Sequence, residues 1–205
     1  MNAKNVFILI VVAVAIASTL YSIIGSNPED YRKKIEKARK EKDHFMRTSP
    51  DSPFNDNPDS FKGLKYYPVD PAYRIQARLI PIDQKKVVVL PTSDGLEKKY
   101  TKYGYAEFSF NGVTHKLLIL EIMEMGPYRG TLFLAFGDAT SARETYGAGR
   151  YLDVKKVKGS STITLDFNEA YNPYCAYNEN YSCPLPPSEN LLTIPITAGE
   201  MNYQK

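Results

Sequence analysis

Three carboxylates in polar segments of the chain are candidates for acid–base chemistry. They are Asp138 and Glu144, in the segment 136–150, and Asp166, which begins a second polar segment. Two carboxyl groups can hydrolyse a bond when one acts as the general acid and the other as the general base. The three residues are therefore candidate catalytic residues of a hydrolase. The alternative is that these charges form ion pairs that hold long loops in place.

The segment 166–187, called the tyrosine-rich loop below, has the composition of a binding loop. It contains four tyrosines and four asparagines, and its prolines interrupt any regular helix or strand. Connections of this length are usually functional or disordered, and aromatic residues argue against disorder. We predict that a small polar ligand is bound by Arg150, Asn168, Tyr171, Asn172, Tyr174 and Tyr177. The alternative is that the tyrosines only pack the loop.

Both cysteines of the chain, Cys175 and Cys183, lie in the tyrosine-rich loop with the spacing C-x7-C. In an exported protein this spacing favours a disulfide, which contributes roughly 2–3 kcal/mol in the loop-entropy model. A zinc site would need more ligands, and the only histidines are His44 and His115, so we predict no metal. A catalytic cysteine paired with His115 is a further alternative. Nucleotide and phosphate motifs are absent, and we predict no cofactor.

Short strands separated by turn signals must position these residues. Strands are predicted at 77–82, 86–90, 98–102, 105–110, 113–122, 131–136, 150–157, 161–166 and 192–196. Asn111-Gly112 predicts a type I′ hairpin turn because both residues tolerate positive φ. No helical pattern separates these strands. The pattern predicts a mainly β fold, an antiparallel β-sandwich or barrel-like domain over residues 48–205.

The amino-terminal segment predicts a membrane tether. Val6 to Ile24 is a nearly unbroken apolar run of 19 residues, which is just long enough to cross a bilayer. Residues 1–26 are a signal anchor or, alternatively, a cleaved signal peptide. Residues 27–47 predict an amphipathic helical stalk that is capped by Asn27. We predict a membrane-anchored chain whose domain lies outside the cytoplasm, in the periplasm or at the cell surface, because long domains are translocated largely regardless of charge. The alternative is a cytoplasmic domain, which the basic residues after the run, such as Arg32, Lys33 and Lys34, favour.

Composition limits the remaining classes of function. The chain has 205 residues. The number of residues after the predicted leader and stalk is a normal size for one domain. The net charge of +3 gives no case for nucleic-acid binding, which needs a clustered basic face with interleaved aromatic residues. The oligomeric state is not indicated.

Several sequence runs carry a family resemblance. They are Glu41–Asp43 with Ser49-Pro50, Phe61–Pro68, Tyr73-Arg74, Gly137–Thr140, Glu144–Asp153, Asp166–Tyr177, Cys183–Pro187 with Asn190, and Ala198–Glu200. In order from about Arg39 to Glu200, they resemble a bacterial and archaeal family known only as a domain of unknown function, number sixteen-eighty-four. The resemblance implies that these polar residues are shared features of the family. It implies no established activity.

Three hypotheses follow from the sequence. The first is an exported, membrane-tethered protein that binds a small polar ligand at a cluster of loops. The second is a hydrolase that uses the acidic residues of the same cluster. The third is a structural envelope protein, which predicts no pocket.

Overall fold

The computed structural model describes residues 27–156 and 158–204, which form one helix and a six-stranded antiparallel sheet that curves into a half-barrel. The helix is α1 (Pro28–Thr48), and the strands are β1 (Arg74–Pro91), β2 (Glu97–Phe110), β3 (Val113–Ile122), β4 (Leu132–Phe136), β5 (Arg150–Val154) and β6 (Thr162–Asp166). Short 3-10 helices lie at Pro58–Ser60, Pro71–Tyr73, Phe167–Glu169, Tyr174–Ala176 and Ser188–Asn190. The predicted mainly β, antiparallel class is confirmed. The strands form one sheet, so the sandwich alternative is wrong.

Curvature brings the two edges of the sheet together. The strand order is β5-β4-β3-β2-β1-β6, so β5 and β6 are the edge strands. These two strands nevertheless contact one another. A strongly bent sheet of this kind resembles an incompletely closed barrel, in which the two faces of each strand meet different surroundings.

Two pairs of predicted strands are single long strands in the structure. The predicted strands 77–82 and 86–90 both lie in β1, and 98–102 and 105–110 both lie in β2. Irregular pairing interrupts each strand, between Pro81 and Lys86 in β1 and next to Gly104 in β2. A Cβ atom on Gly104 would lie 2.8 Å from the carbonyl oxygen of Ile80. Glycine therefore permits the close approach at the point where the strands bend.

The hairpin turn between β2 and β3 is confirmed. Asn111 has a φ of 51° and Gly112 a φ of 78°, the positive values that a type I′ turn requires. Strand β3 then pairs with β2 along nearly its whole length.

The predicted strand at 192–196 is wrong. Pro195 has no backbone N–H, so this segment cannot maintain a regular ladder. The N–H of Ile196 donates instead to the carboxylate of Asp138 at 3.1 Å, and the carbonyl of Ile194 accepts from Ala139 at 3.1 Å. The segment is therefore an irregular chain held to the 136–150 loop.

The predicted amino-terminal helix is confirmed as α1. The side chain of Asn27 accepts a hydrogen bond from the N–H of Glu29 at 3.0 Å, and Pro28 begins the helix. Tyr31, Ile35 and Met46 are buried, so one face of α1 packs on the domain. In the described part of the chain, no helix is both long and apolar enough to span a membrane. The predicted span Val6–Ile24 lies outside the described residues.

Both faces of the central strands are buried. Leu117, Ile119 and Leu134 belong to a core on one face, together with Phe136 and Phe167. Leu118, Leu120 and Phe133 belong to a second core on the opposite face, which includes both cysteines. The tyrosine-rich loop thus covers the second face of the sheet, which explains its high aromatic content.

Candidate ligand-binding site

Arg150, which the sequence predicts as a ligand-binding residue, is fully buried in the core. Its guanidinium donates to the carboxylate of Asp138 at 2.9 Å and to the carbonyl of Ile196 at 2.8 Å. It also donates to the carbonyls of Ala198 and Glu200. Arg150 and Asp138 are thus brought together as a buried ion pair that holds the carboxyl-terminal segment against β5.

The three candidate catalytic carboxylates do not form one pair. Asp138 is bound to Arg150, and Glu144 is exposed on the following loop. Asp166 accepts hydrogen bonds from the hydroxyl of Tyr31 at 2.7 Å and from the N–H of Asn168 at 3.2 Å. Asp138 and Asp166 line different cavities. These residues therefore do not place a general acid and a general base on either side of one substrate bond.

Asn168, another predicted ligand-binding residue, joins three parts of the chain. Its side-chain amide donates to the hydroxyl of Tyr31 at 3.0 Å and to the carbonyl of Asp70 at 2.8 Å. Its side-chain oxygen accepts from the N–H of Asp70 at 2.9 Å. Burial, together with the carboxylate of Asp166, raises the pKa of Tyr31 well above its ordinary value, so its hydroxyl remains a donor.

Asn172 and Tyr177 converge on a carboxylate that is not among the predicted site residues. Glu200 is fully buried and accepts from the amide of Asn172 at 2.8 Å and from the hydroxyl of Tyr177. Its charge is balanced by Lys42 of α1, whose Nζ lies 2.9 Å from Oε2. Burial, followed by the charge of Glu200, raises the pKa of Tyr177 well above its ordinary value. This network attaches α1 to the tyrosine-rich loop.

A cavity of about 280 Å³ lies between α1 and the beginning of the tyrosine-rich loop. Its lining residues are Ile35, Ala38, Arg39, Lys42, Tyr66, Asn168, Glu169, Ala170 and Tyr171. Asn168 and Tyr171 were predicted from the sequence as ligand-binding residues, and Arg39, Lys42 and Tyr66 were not. Arg39 and Lys42 are three residues apart on α1 and so share one helix face, which is the sequence signal that points to them.

Arg39 occupies this cavity without a carboxylate partner in the described part of the chain. Its terminal nitrogens donate to the carbonyls of Tyr67 at 2.8 Å and Asn168 at 3.2 Å. Its Nε is buried and has no hydrogen-bond partner among the described residues. Burial lowers the pKa of Arg39 from its ordinary value, but an arginine remains charged in a protein.

Tyr66 supplies a second donor of the same kind. The guanidinium carbon of Arg39 lies 4.5 Å from the centre of the Tyr66 ring. Over the described ranges, the buried hydroxyl of Tyr66 also has no hydrogen-bond partner. Burial is the main cause that raises its pKa, so the hydroxyl keeps its proton at neutral pH. Two residues that line the cavity thus each carry a buried donor that has no acceptor among the described residues.

Tyr174, the remaining predicted ligand-binding residue, packs against other tyrosines. Its ring centre lies 5.2 Å from that of Tyr181 and 6.5 Å from that of Tyr177. These contacts match the alternative interpretation, in which tyrosines pack the loop, while Tyr171 also lines the cavity.

The two cysteines are neighbours and are free thiols in the structure. The N–H of Cys175 donates to Sγ of Cys183 at 3.3 Å, and the hydroxyl of Tyr146 lies 3.8 Å from Sγ of Cys175. The hydrogen bond from the Cys183 thiol lowers the pKa of Cys175 to about 6, and the same bond raises the pKa of Cys183. The disulfide stays a prediction, which a mass measured without reductant checks as the loss of two hydrogen atoms.

Replacing Cys183 by alanine is expected to raise the pKa of the Cys175 thiol. The substitution removes the donor that stabilises the Cys175 thiolate, so this thiol then titrates at higher pH. The ultraviolet absorbance of the thiolate, followed against pH in the reduced protein, measures the midpoint. Ser182→Ala, at the adjacent position, is the control and should leave the titration unchanged. An identical midpoint in Cys183→Ala and the parent protein contradicts the assignment of the donor.

Comparisons with known proteins identify relatives of this chain. The family model described as "Protein of unknown function (DUF1684)" matches residues 59–201. The match begins later than Arg39, where the resemblance seen in the sequence starts. A solution NMR structure of an uncharacterized protein from Haloarcula marismortui is 35% identical, with a TM-score of 0.64, and the alignment covers 85% of this chain and 95% of that one. The comparison with curated proteins gave no significant match.

Proposed function

The chain belongs to the DUF1684 family of proteins of unknown function, and from that premise we propose that it binds a small organic anion in the cavity between α1 and the tyrosine-rich loop. The observation that carries the proposal is the pair of buried donors, Arg39 Nε and the Tyr66 hydroxyl, which lack acceptors among the described residues. A buried donor without an acceptor costs about 1–3 kcal/mol, and more if it is charged. A bound carboxylate is expected to remove this cost once the side chain of Arg39 or Tyr66 turns its donor toward the cavity, because both donor atoms are buried in the structure.

The charge of Arg39 also favours an anion. Its two terminal nitrogens bond to backbone carbonyls, which are neutral. Lys42 also lines the cavity, but it already pairs with Glu200. Glu169 also lines the cavity, but no carboxylate of the described residues lies within ion-pair distance of Arg39. A buried charge is unfavourable unless it is paired, so an anionic ligand would stabilise Arg39.

The rest of the cavity suits an apolar body on the ligand. Ile35, Ala38 and Ala170 contribute apolar side chains, and the rings of Tyr66 and Tyr171 complete the wall. A mostly apolar pocket with a few polar groups is typical of a small-molecule site. We therefore infer a carboxylate that carries a small hydrocarbon group.

The hydrolase hypothesis has less support from the geometry. Asp138 is held by Arg150, and Asp166 is occupied by Tyr31 and Asn168. A general acid or base must reach the reacting proton, and these carboxylates are engaged in structural contacts instead. The hypothesis of a purely structural protein predicts no pocket, and the cavity argues against it.

Arg39→Gln is expected to weaken the binding of small carboxylates at least tenfold. A hydrogen bond to a charged group contributes about 1.5–3 kcal/mol, which corresponds to roughly a tenfold to hundredfold change in affinity. The probes are acetate, benzoate and cyclohexanecarboxylate, each compared with its neutral amide by ligand-observed NMR. Tyr66→Phe, which removes one neutral donor, should have the smaller effect of the two variants.

Arg32→Gln is the matched control, because Arg32 is an exposed arginine on the same helix. It should bind every probe as the parent protein does. Carboxylate and amide probes that bind equally well, or an Arg39→Gln protein that binds like the control, would contradict the proposal.

We further propose that Val6–Ile24 tethers this domain to a membrane and that the domain lies outside the cytoplasm. The length and apolar character of that run support the proposal. Extraction of the full chain from membranes by detergent, but not by alkaline carbonate, would support the tether. Digestion of the domain by protease added to intact cells would support the location.

A further inference from the structure

A second cavity lies on the face of the sheet that the tyrosine-rich loop covers. Its volume is about 330 Å³, and it is bounded by β2, β4, β5 and the connection between β3 and β4. Four of its aromatic side chains come from regular strands or the start of the loop: Tyr100, Phe133, Tyr151 and Tyr171. Tyr171 lines both cavities, so the two sites are neighbours.

The four aromatic rings form a continuous row. The ring centres of Tyr100 and Phe133 are 5.3 Å apart, those of Phe133 and Tyr151 are 5.6 Å apart, and those of Tyr151 and Tyr171 are 6.0 Å apart. Each pair meets edge to face, which is the favoured geometry for aromatic side chains. Rings held in this way form a preorganised wall that a ligand need not reorganise.

The β3–β4 connection brings a fifth ring to this cavity. Tyr128 lines it but is 70% exposed, and Met125 on the same connection is 82% exposed. Exposed apolar side chains grouped beside a cavity are typical of a ligand-binding site. A bound molecule would remove part of this surface from water.

The charged residues that line the cavity determine which ligand charge it favours. Glu124, Asp153 and Lys98 line it. The Nζ of Lys98 lies 3.8 Å from the carboxylate of Glu124, so these two charges offset one another. Asp153 accepts a hydrogen bond from the hydroxyl of Tyr171 at 2.8 Å and has no cationic partner within ion-pair distance in the part of the chain that the structure describes. The net charge of the lining is therefore negative.

We propose that this cavity binds a quaternary ammonium group, with the rings of Tyr100, Phe133, Tyr151 and Tyr128 forming an aromatic cage and Asp153 supplying the counter-charge. The ring of Tyr171 already faces the Nζ of Lys42, 4.7 Å from its centre, and is not counted in the cage. The faces of aromatic rings carry negative partial charge, and they attract a cation that has given up its water. A quaternary ammonium has no N–H to satisfy, so it needs rings and a nearby carboxylate, not hydrogen-bond acceptors. This site is distinct from the anion site, because the charge that it favours is opposite.

Choline is the probe, and 3,3-dimethylbutan-1-ol is its uncharged control of nearly the same shape. Chemical-shift perturbation in the full domain measures both affinities. Choline is expected to bind about tenfold or more tightly than the alcohol, because only the cation interacts with the rings and with Asp153. Equal affinities would show a merely apolar pocket and would overturn the proposal, as would the absence of choline binding.

Four variants at three positions separate the charge effect from the shape effect. Tyr128→Ala should weaken choline binding several-fold, roughly fivefold, whereas Tyr128→Phe keeps the ring and should not. Asp153→Asn should weaken choline but not the alcohol, and Lys98→Gln should strengthen choline. Asp59→Asn, at an exposed position away from the cavity, is the control. Asp153→Asn that leaves the ratio of the two affinities unchanged would contradict the role of its charge.

Discussion

Replacing Arg150 by methionine is expected to lower the free energy of unfolding by about 3–5 kcal/mol, the loss typical when one partner of a buried ion pair is removed. The substitution leaves the buried carboxylate of Asp138 without its counter-ion. It also removes the donor to the carbonyls of Ile196, Ala198 and Glu200. Methionine fills a similar volume, so the loss reports the charge and hydrogen bonds and not a cavity.

Equilibrium unfolding in urea measures this effect. Arg129→Met, at an exposed position on the β3–β4 connection, is the matched control and should change stability by less than about 0.5 kcal/mol. The double variant Arg150→Met with Asp138→Asn should recover part of the loss, because the unpaired buried charge is then gone while a side-chain oxygen remains to accept from Ile196 and Thr140. A loss below about 1 kcal/mol in the single variant would contradict the role given to Arg150.

Replacing Asn190 by alanine is expected to cost about 3 kcal/mol, because three buried backbone groups lose their partners. The side chain of Asn190 accepts from the N–H of Leu118 at 2.6 Å. It donates to the carbonyls of Leu118 and Ala135, each at 2.9 Å. Strands β3 and β4 pair directly only at Leu120–Phe133 and Glu121–Leu132. Asn190 therefore joins the two strands where the backbone ladder between them is absent.

Asn190→Asp sharpens the test, because it keeps the shape but loses both donors at neutral pH. A buried carboxyl without a counter-ion has a raised pKa in the folded protein, so its protonated form is favoured there. The loss in free energy of unfolding of Asn190→Asp should be smaller below the ordinary aspartate pKa of about 3.9 and should grow as pH rises. Asn202→Ala, at an exposed asparagine, is the control. Urea midpoints at several pH values measure the stability of each variant. A loss of stability in Asn190→Asp that does not change with pH would contradict the prediction.

The sequence by itself determined the features that depend on neighbouring residues. The Asn111-Gly112 turn requires only two residues that tolerate positive φ, and both adopt it. The cap at Asn27 requires only that its side-chain oxygen accept a hydrogen bond from the N–H of Glu29, two residues later. The alternation of apolar residues in β2 likewise follows from the two-residue period of a strand. The family was also evident, because its motifs are contiguous runs.

Only the tertiary structure decided what the polar residues do. Arg150 has the sequence features of a binding residue, but its partners are the carbonyls of the 196–200 segment, which lies far along the chain. Pro195 turns an apolar run into an irregular segment whose hydrogen bonds go to the 136–150 loop.

The cavities depend on the same long-range folding. Glu200 and Lys42 form an ion pair although they are far apart in the sequence. Arg39 faces Tyr66 only because α1 packs on one side of the sheet. A local pattern sets backbone geometry over a few residues, whereas the partner of a buried polar group is set by how the sheet curves. That is why the fold class followed from the sequence, and the site and the function of Arg150 did not.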